Sequence, residues 1–256
     1  MREGASPGMF GVPISVWRAL PEPWTDTIAR FFTLVEEQGR WPQDWLDAYV
    51  AMIPKANGGS RPQDQRPITV LEVLYRLWAK GIVQEWHHVL QTELLGQAAF
   101  DFRSQSGVLH AAQVLTDLIS MQKSAGHELW LASFDVAKCF DSLPWWAVFQ
   151  TLLAVGVSPS VVQCFSAFYH HVRRRFRYGA VEGQVWFAAN GLAQGCPASP
   201  DLLNILLETF HRWAVAQGLG IPVAHLRIPS ISSADDVVLL ASSRIEAEAL
   251  VQAYLD

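Results

Sequence analysis

The feature that most constrains this chain is Ser233-Ala234-Asp235-Asp236, an acidic pair set into an apolar stretch with Ile231 before it and Val237-Val238-Leu239-Leu240 after it. The flanking apolar runs have strand length, so the acidic pair reads as a tight turn between two buried strands. Aspartate is common at turns because its side chain hydrogen-bonds nearby backbone, and an Asp-Asp pair alone therefore assigns no site. Two like charges at a hairpin tip repel each other unless a cation stands between them. A third carboxylate sharpens the point. Asp135, about a hundred residues upstream, lies in the run Leu129-Trp130-Leu131-Ala132-Ser133-Phe134-Asp135-Val136, which follows a polar Gly126-His127-Glu128 break and reads as a strand apolar on both faces. Burying that carboxylate unpaired would be costly. It is expected to cap the following helix, to pair with Lys138, or to meet Asp235 and Asp236 around divalent metal. Mg2+ and Mn2+ both suit carboxylate oxygens, so the residues do not choose between them. Two such ions about 4 Å apart form the clamp used for in-line phosphoryl or nucleotidyl transfer.

The 256 residues suffice for one large domain or two lobes with a real core. Half are apolar and 17% charged, which marks a globular chain and excludes a disordered one. No apolar run approaches the roughly 18–20 residues that a membrane span needs. Glu3 and an early Pro7-Gly8 stand where a secretory signal would be continuously apolar. The chain is expected inside the cell, in nucleus or cytoplasm, neither secreted nor membrane-spanning. Cys139, Cys164 and Cys196 contain no Cys-x-x-Cys spacing, so neither structural zinc nor a disulfide framework is expected, and the thiols read as small buried residues. His87-His88 and His170-His171 are adjacent in sequence and do not share a helix or strand face, so neither pair reads as a metal site.

A net charge of −5 counts mildly against nucleic-acid binding, but local clustering matters more than the total. Arg173-Arg174-Arg175-Phe176-Arg177-Tyr178 concentrates basic and aromatic side chains. It either contacts phosphates while its rings stack or forms a charged, solvated strand or turn. The spacing of Ile28, Phe31, Phe32 and Val35 predicts a helix over 25–38, and Tyr49-Val50-Ala51-Met52-Ile53 predicts a strand ended by Pro54. Thr69-x-x-Glu72 has the form of a capping box opening a long helix, with Leu74, Trp78, Ile82, Trp86 and Leu90 as its stripe. A helix over 108–122 is expected to bury Leu109, Ala112, Leu115 and Ile119. A later one is capped by Ser199 with Pro200 in its first turn, buries Leu203, Leu206, Phe210 and Trp213, and stops at Gly218.

Phe134-Asp135-Val136-Ala137-Lys138-Cys139-Phe140-Asp141 is similar to motif A of reverse transcriptases, most closely those of non-LTR (LINE-type) retrotransposons. Asn190-Gly191-Leu192-Ala193-Gln194-Gly195-Cys196-Pro197-Ala198-Ser199-Pro200 resembles their motif B, and Ser233-Ala234-Asp235-Asp236 their motif C. Upstream, Ile53-Pro54-Lys55, Arg66-Pro67-Ile68-Thr69 and Leu74-Tyr75-Arg76-Leu77 resemble the fingers segment, and Phe102-Arg103-Ser104-Gln105-Ser106 the stretch before the palm. The blocks occur in the family's order. The resemblance implies an α+β fold, the fingers and palm of a right-hand polymerase, with an antiparallel palm sheet packed on helices. Residues 1–100 would form an N-terminal extension and part of the fingers, and residues 101–256 would carry motifs A, B and C.

It also implies two-metal addition of dNTPs to a primer 3′-hydroxyl, copied from an RNA or DNA template. Asp135, Asp235 and Asp236 would be catalytic and hold two Mg2+ or Mn2+ ions, with the Val136 carbonyl as a further ligand. Lys55 and Arg66 would meet the triphosphate. Phe140, five residues after Asp135, would exclude a ribose 2′-hydroxyl. Gln194 and Gly195, with Gly191, would line the nucleotide pocket, while Arg103, Arg173, Arg174, Arg175 and Arg177 would contact nucleic acid. Ser233 departs from the family's Tyr or Phe and removes a ring near the primer terminus. The chain ends soon after motif C, so thumb and endonuclease domains are expected to be missing partners. The competing reading is a catalytically silent, truncated retroelement remnant or nucleic-acid-binding module that keeps the palm. A viral RNA polymerase fits less well, since its third motif typically reads Gly-Asp-Asp where Ala234 stands here. Group II intron and telomerase enzymes are less close across motifs A and B.

Overall fold

The structure, a computed structural model, describes residues 6–55, 58, 61, 64–89, 100, 107–136 and 138–255. In chain order the elements are α1 (Ile14–Arg18), α2 (Glu22–Gln38), a 3-10 turn (Gln43–Leu46), β1 (Asp47–Pro54), β2 (Gln65–Val70), α3 (Val73–Val89) and α4 (Val108–Ser124). Then come β3 (Trp130–Asp135), α5 (Cys139–Ser142), α6 (Trp145–Ala154), α7 (Pro159–His171), β4 (Arg173–Tyr178), β5 (Val181–Glu182) and α8 (Ser199–Ala216). Last are β6 (Ile221–Val223), β7 (Leu226–Ile228), β8 (Ser230–Ser233), β9 (Asp236–Ala241) and α9 (Arg244–Leu255). The fold is α+β, and the chain forms two units, each discontinuous in sequence: Met1–Gln84 with Phe140–Ser199, and Glu85–Cys139 with Pro200–Asp256.

The first unit is built on a four-stranded sheet in the order β2-β1-β4-β5. The β1–β2 hairpin is antiparallel from Tyr49↔Val70 to Pro54↔Gln65, and β4 adds to β1 in parallel. Ala48 and Val50 of β1 are buried, the two-residue alternation of a strand with one covered face. Beside the sheet lies an aromatic core. Tyr75 of α3 stacks on Phe168 of α7, and Trp41 meets Tyr75, Trp78 and Phe168 edge-on. Buried indole N–H groups need acceptors. Trp41 Nε1 donates to the Cys164 carbonyl at 2.9 Å and Trp145 Nε1 to the Gly191 carbonyl at 2.7 Å.

In the second unit, β9 lies between β3 and β8, antiparallel to both. The alternation along β9 sorts its side chains onto two cores. Leu240, with Ile231 of β8, packs with Ala111 and Leu118 of α4. Val237, Leu239 and Ala241 pack with Ala214 of α8 and Leu250 of α9. Fully burying such side chains stabilises the unit by about 1.5–3 kcal/mol each, which fixes the register of the strand that begins at Asp236.

Four local expectations are corrected. Thr69 and Glu72 form no capping box: Thr69 is the fifth residue of a strand, α3 begins at Val73, and Glu72 accepts from the Phe10 N–H at 2.9 Å. Strand β3 is not buried on both faces, because it is a sheet edge, with Trp130 and Leu131 exposed. Helix α4 buries Ala111, Leu118 and Gln122 while Leu109 is 88% exposed and Ile119 is also exposed. Its sequence is apolar on more than one face, so periodicity alone did not select the packed one. Trp213 of α8 is exposed, and Leu202, Leu203, Ile205 and Ala214 supply its buried face. Gly218 does end α8, at φ +73. Leu90 and the Phe102–Ser106 stretch, including Arg103, lie outside the described residues. Among the described residues no helix is long and apolar enough to cross a membrane.

Candidate active site

The three acidic residues come together through strand pairing in the second unit. Asp135, the last residue of β3, lies opposite Asp236, the first residue of β9. Ser233 pairs with Asp236 across the β8–β9 hairpin, so Ala234 and Asp235 are its two-residue turn. Such turns take positive φ at the first central position to match strand twist, and Ala234 has φ +52. The Val136 N–H donates to the Asp235 carbonyl at 3.3 Å, carrying the ladder one step past the last pair. Directly opposed residues of an antiparallel pair project on one face, so Asp135 and Asp236 share a face with Asp235 beside them.

All three acidic residues are exposed. None of their carboxylates has a hydrogen-bond or ion-pair partner among the described residues, Lys138 included. Nor does Asp135 cap α5; the Cys139 N–H donates instead to the Val136 carbonyl at 3.0 Å. That carbonyl keeps a second lone pair for another contact. Burial, and secondarily the charge of Asp235, push the Cys139 thiol up to about 11. An all-oxygen donor set of carboxylates and a carbonyl suits a hard divalent cation. As the side chains stand, no three potential ligands among the described residues are grouped closely enough to enclose an ion.

The remaining candidates lie in the first unit. Lys55 follows β1 and is exposed, with its N–H donating to the Asp64 carbonyl at 3.0 Å. Arg66 of β2 pairs with Ile53 and is exposed. Phe140 is half-buried, and its carbonyl accepts from the Leu192 N–H at 2.5 Å. Gln194 is held at both ends: its carbonyl accepts from the Thr69 N–H at 2.7 Å, and its Nε2 donates to Asp141 Oδ2 at 3.2 Å. Gly195 has φ +128, and a Cβ there would lie 2.3 Å from the Thr69 carbonyl oxygen. At Gly191, φ +87, a Cβ would lie 2.5 Å from the Asp141 carbonyl oxygen. The close approach these glycines permit is to the chain's own backbone.

The arginines of β4 are engaged within their own sheet. Arg173 pairs with Asp47 at 2.6 Å, while Arg175 reaches Asp47 and Glu182, each at 3.3 Å. Arg177 lies over the Tyr49 ring at 5.2 Å. Arg174 points to the other side, is buried, and sits over Trp186 with its Nε and Nη2 unpartnered among the described residues. His170 and His171 each turn Nδ1 to a carbonyl of their own helix, at 2.8 and 2.7 Å. Asp47 as counterion and Asp141 as the partner of Gln194 were not foreseen from sequence. Asp47 stands 126 residues from Arg173, and only the strand order brings them together.

Residues 53–256 match the family model described as reverse transcriptase (RNA-dependent DNA polymerase). Among curated proteins, the Pol polyprotein of the type-2 retrotransposable element R2DM of Drosophila melanogaster is 26% identical, covering 98% of this chain and 23% of its own length. The R2 Pol polyprotein of Nasonia vitripennis is 25% identical over 93% of this chain and 22% of its own. This chain thus spans about a quarter of those relatives. Among solved structures, apo telomerase of Candida tropicalis lacking its C-terminal domain superposes with a TM-score of 0.58 at 13% identity, over 83% of this chain and 47% of that one. At that identity the likeness concerns the fold alone.

Proposed function

Since this chain belongs to the reverse transcriptase family, we propose that it adds dNTPs to a primer 3′-hydroxyl along an RNA template, using two Mg2+ or Mn2+ ions. The observation that carries this is the pairing of Asp135 with Asp236, with Asp235 in the adjoining turn, exposed and without a basic partner among the described residues. Like charges directly opposite weaken a strand pair, and the arrangement gains most from bound cations. Asp135 and Asp235 would hold both ions, with Asp236 and the Val136 carbonyl completing the set. When bound, the ions lower the pKa of the primer hydroxyl and neutralise the triphosphate and the leaving pyrophosphate.

The chain's own residues bind and orient. Lys55 offers a point charge and Arg66 a forked donor to the triphosphate. Gln194 and Gly195 line the nucleotide pocket, and the Phe140 ring excludes a 2′-hydroxyl. Arg177 is exposed and has no carboxylate partner among the described residues, so it is the arginine of β4 best placed to give up its present contacts for a phosphate. Arg173 and Arg175 would have to exchange existing carboxylate partners, and Arg174 is buried. Arg103 is proposed for the template strand on sequence alone.

The test is extension of a primed poly(rA) template with labelled dTTP and Mg2+ or Mn2+, beside Asp135→Asn and Asp235→Asn. Extension by the parent and its loss in both variants is expected. Normal rates in either variant remove the metal assignment. A folded parent that fails with either ion, alone or joined to the C-terminal sequence of a relative, refutes the activity.

A further inference from the structure

Motif A ends and motif B begins against one another, through several contacts that all lie within the first unit. The Leu192 N–H donates to the Phe140 carbonyl and the Gly191 N–H to the Leu143 carbonyl, at 2.5 and 2.8 Å. Trp145 Nε1 donates to the Gly191 carbonyl at 2.7 Å, and Gly191 lies against the Asp141 carbonyl too closely for any side chain. Asp141 is therefore held firmly beside motif B. Arg174 adds electrostatic support. Burial pushes its guanidinium down, and the charges of Tyr169 and then Asp141 act against that shift.

This frame gives one side-chain contact a directional consequence. A carboxylate can only accept, so Asp141 selects the Nε2 end of the Gln194 amide, which donates to it at 3.2 Å. The Gln194 backbone is separately fixed by the Thr69 N–H. Its Oε1 is left without a partner among the described residues and is not sealed from solvent. We propose that Asp141 is a positioning residue that turns the Gln194 carbonyl oxygen outward, to accept a hydrogen bond from a donor on the incoming nucleotide. This rests on the reading of Gln194 as a nucleotide-pocket residue. The donor is a sugar 3′-hydroxyl or a base amino group. A neutral Asn at 141 could face Gln194 with either end of its amide and would lose the selection, at little change of shape.

The experiment compares the full chain with Asp141→Asn, Gln194→Ala and the double variant, by primer extension and by 15N spectra of glutamine side-chain amides. The Gln194 signal is identified by its loss in Gln194→Ala. In Asp141→Asn the signal shifts, KM for dNTP rises about tenfold with kcat little changed, and the double variant is no worse than Gln194→Ala. Selectivity for dTTP over its 3′-deoxy analogue falls if the donor is the sugar hydroxyl. Selectivity for dATP over the analogue lacking the amino group falls if it is the base. An unmoved Gln194 signal, or penalties that simply add, overturns the proposal. A parent that extends no primer defeats the activity and leaves this proposal decidable. A Gln194 signal that responds to dATP, which carries both donors, in the parent and not in Asp141→Asn upholds it, and no response in the parent overturns it.

Discussion

Gly195→Ala tests whether motif B is a glycine motif for the sake of its own backbone. Two costs follow from the structure. At φ +128 the residue occupies a conformation that side chains rarely adopt, a cost on the order of 1–3 kcal/mol. The new Cβ would also lie 2.3 Å from the Thr69 carbonyl oxygen, which is backbone and cannot rotate aside. Moving β2 away would stretch the 2.7 Å bond from the Thr69 N–H to the Gln194 carbonyl, a loss of about 1 kcal/mol. Together the penalty is about 2–4 kcal/mol. For a chain of this size about 1 kcal/mol moves Tm by roughly 2–4 °C, so a fall of about 5–15 °C is expected. Gly156→Ala is the internal control, with φ +91 and nothing within 4 Å of the added atom. It carries a conformational cost without a collision. Thermal unfolding followed by circular dichroism should separate the two by several degrees. Equal shifts would mean that Thr69 yields freely and that Gly195 is not required by packing.

Ala224, at φ +52 between the paired residues Val223 and Leu226, carries left-handed strain away from the acidic residues. Ala224→Gly should stabilise the chain by about 0.5–1 kcal/mol, the relief being partly offset by added freedom in the unfolded chain; a lowered urea midpoint would contradict this. His211 is pushed down to about 4, first by burial and then by the charge of Arg212, against a hydrogen bond to Ser230. The unfolded chain therefore takes up the proton first, near pH 6.5. The contribution is fully present above that pH, falls as pH drops toward 4, and amounts to about 3 kcal/mol at most. Urea midpoints of the parent and His211→Gln, compared across that range, should lose their difference in slope only if His211 titrates as it would in water.

The acidic hairpin, the strand ending at Asp135 and the approximate bounds of α2, α4 and α8 were legible because each follows from local alternation and turn chemistry. The α+β class and the family followed from motif strings in order. Three kinds of feature were not legible. Which face of α4 is buried depends on what packs against it, and a helix with Leu109 and Ala111 on different sides offers both. The edge position of β3 is a property of strand order, which hydropathy does not encode. The capping box failed because Thr69 was claimed by pairing with β1, which outweighs one side-chain cap.

The motif residues divide by what accounts for them. Gly191 and Gly195 are required by carbonyls 2.5 and 2.3 Å from where a Cβ would sit, and that reason would hold in a protein with no activity. Arg173 and Arg175 balance Asp47 and Glu182 and help fix β4 beside β1 and β5, again without reference to a ligand. The carboxylates of Asp135, Asp235 and Asp236 have no such account. Packing holds the strands that carry them, through Val237, Leu239 and Leu240, and leaves the acidic residues themselves exposed. Asn at all three positions would suit a turn and a strand end as well and would remove the repulsion between opposed charges. Folding alone should therefore favour such variants. A triple Asn chain that is at least as stable as the parent but extends no primer would place the reason for the charges in catalysis, whereas a destabilised one would return them to the fold.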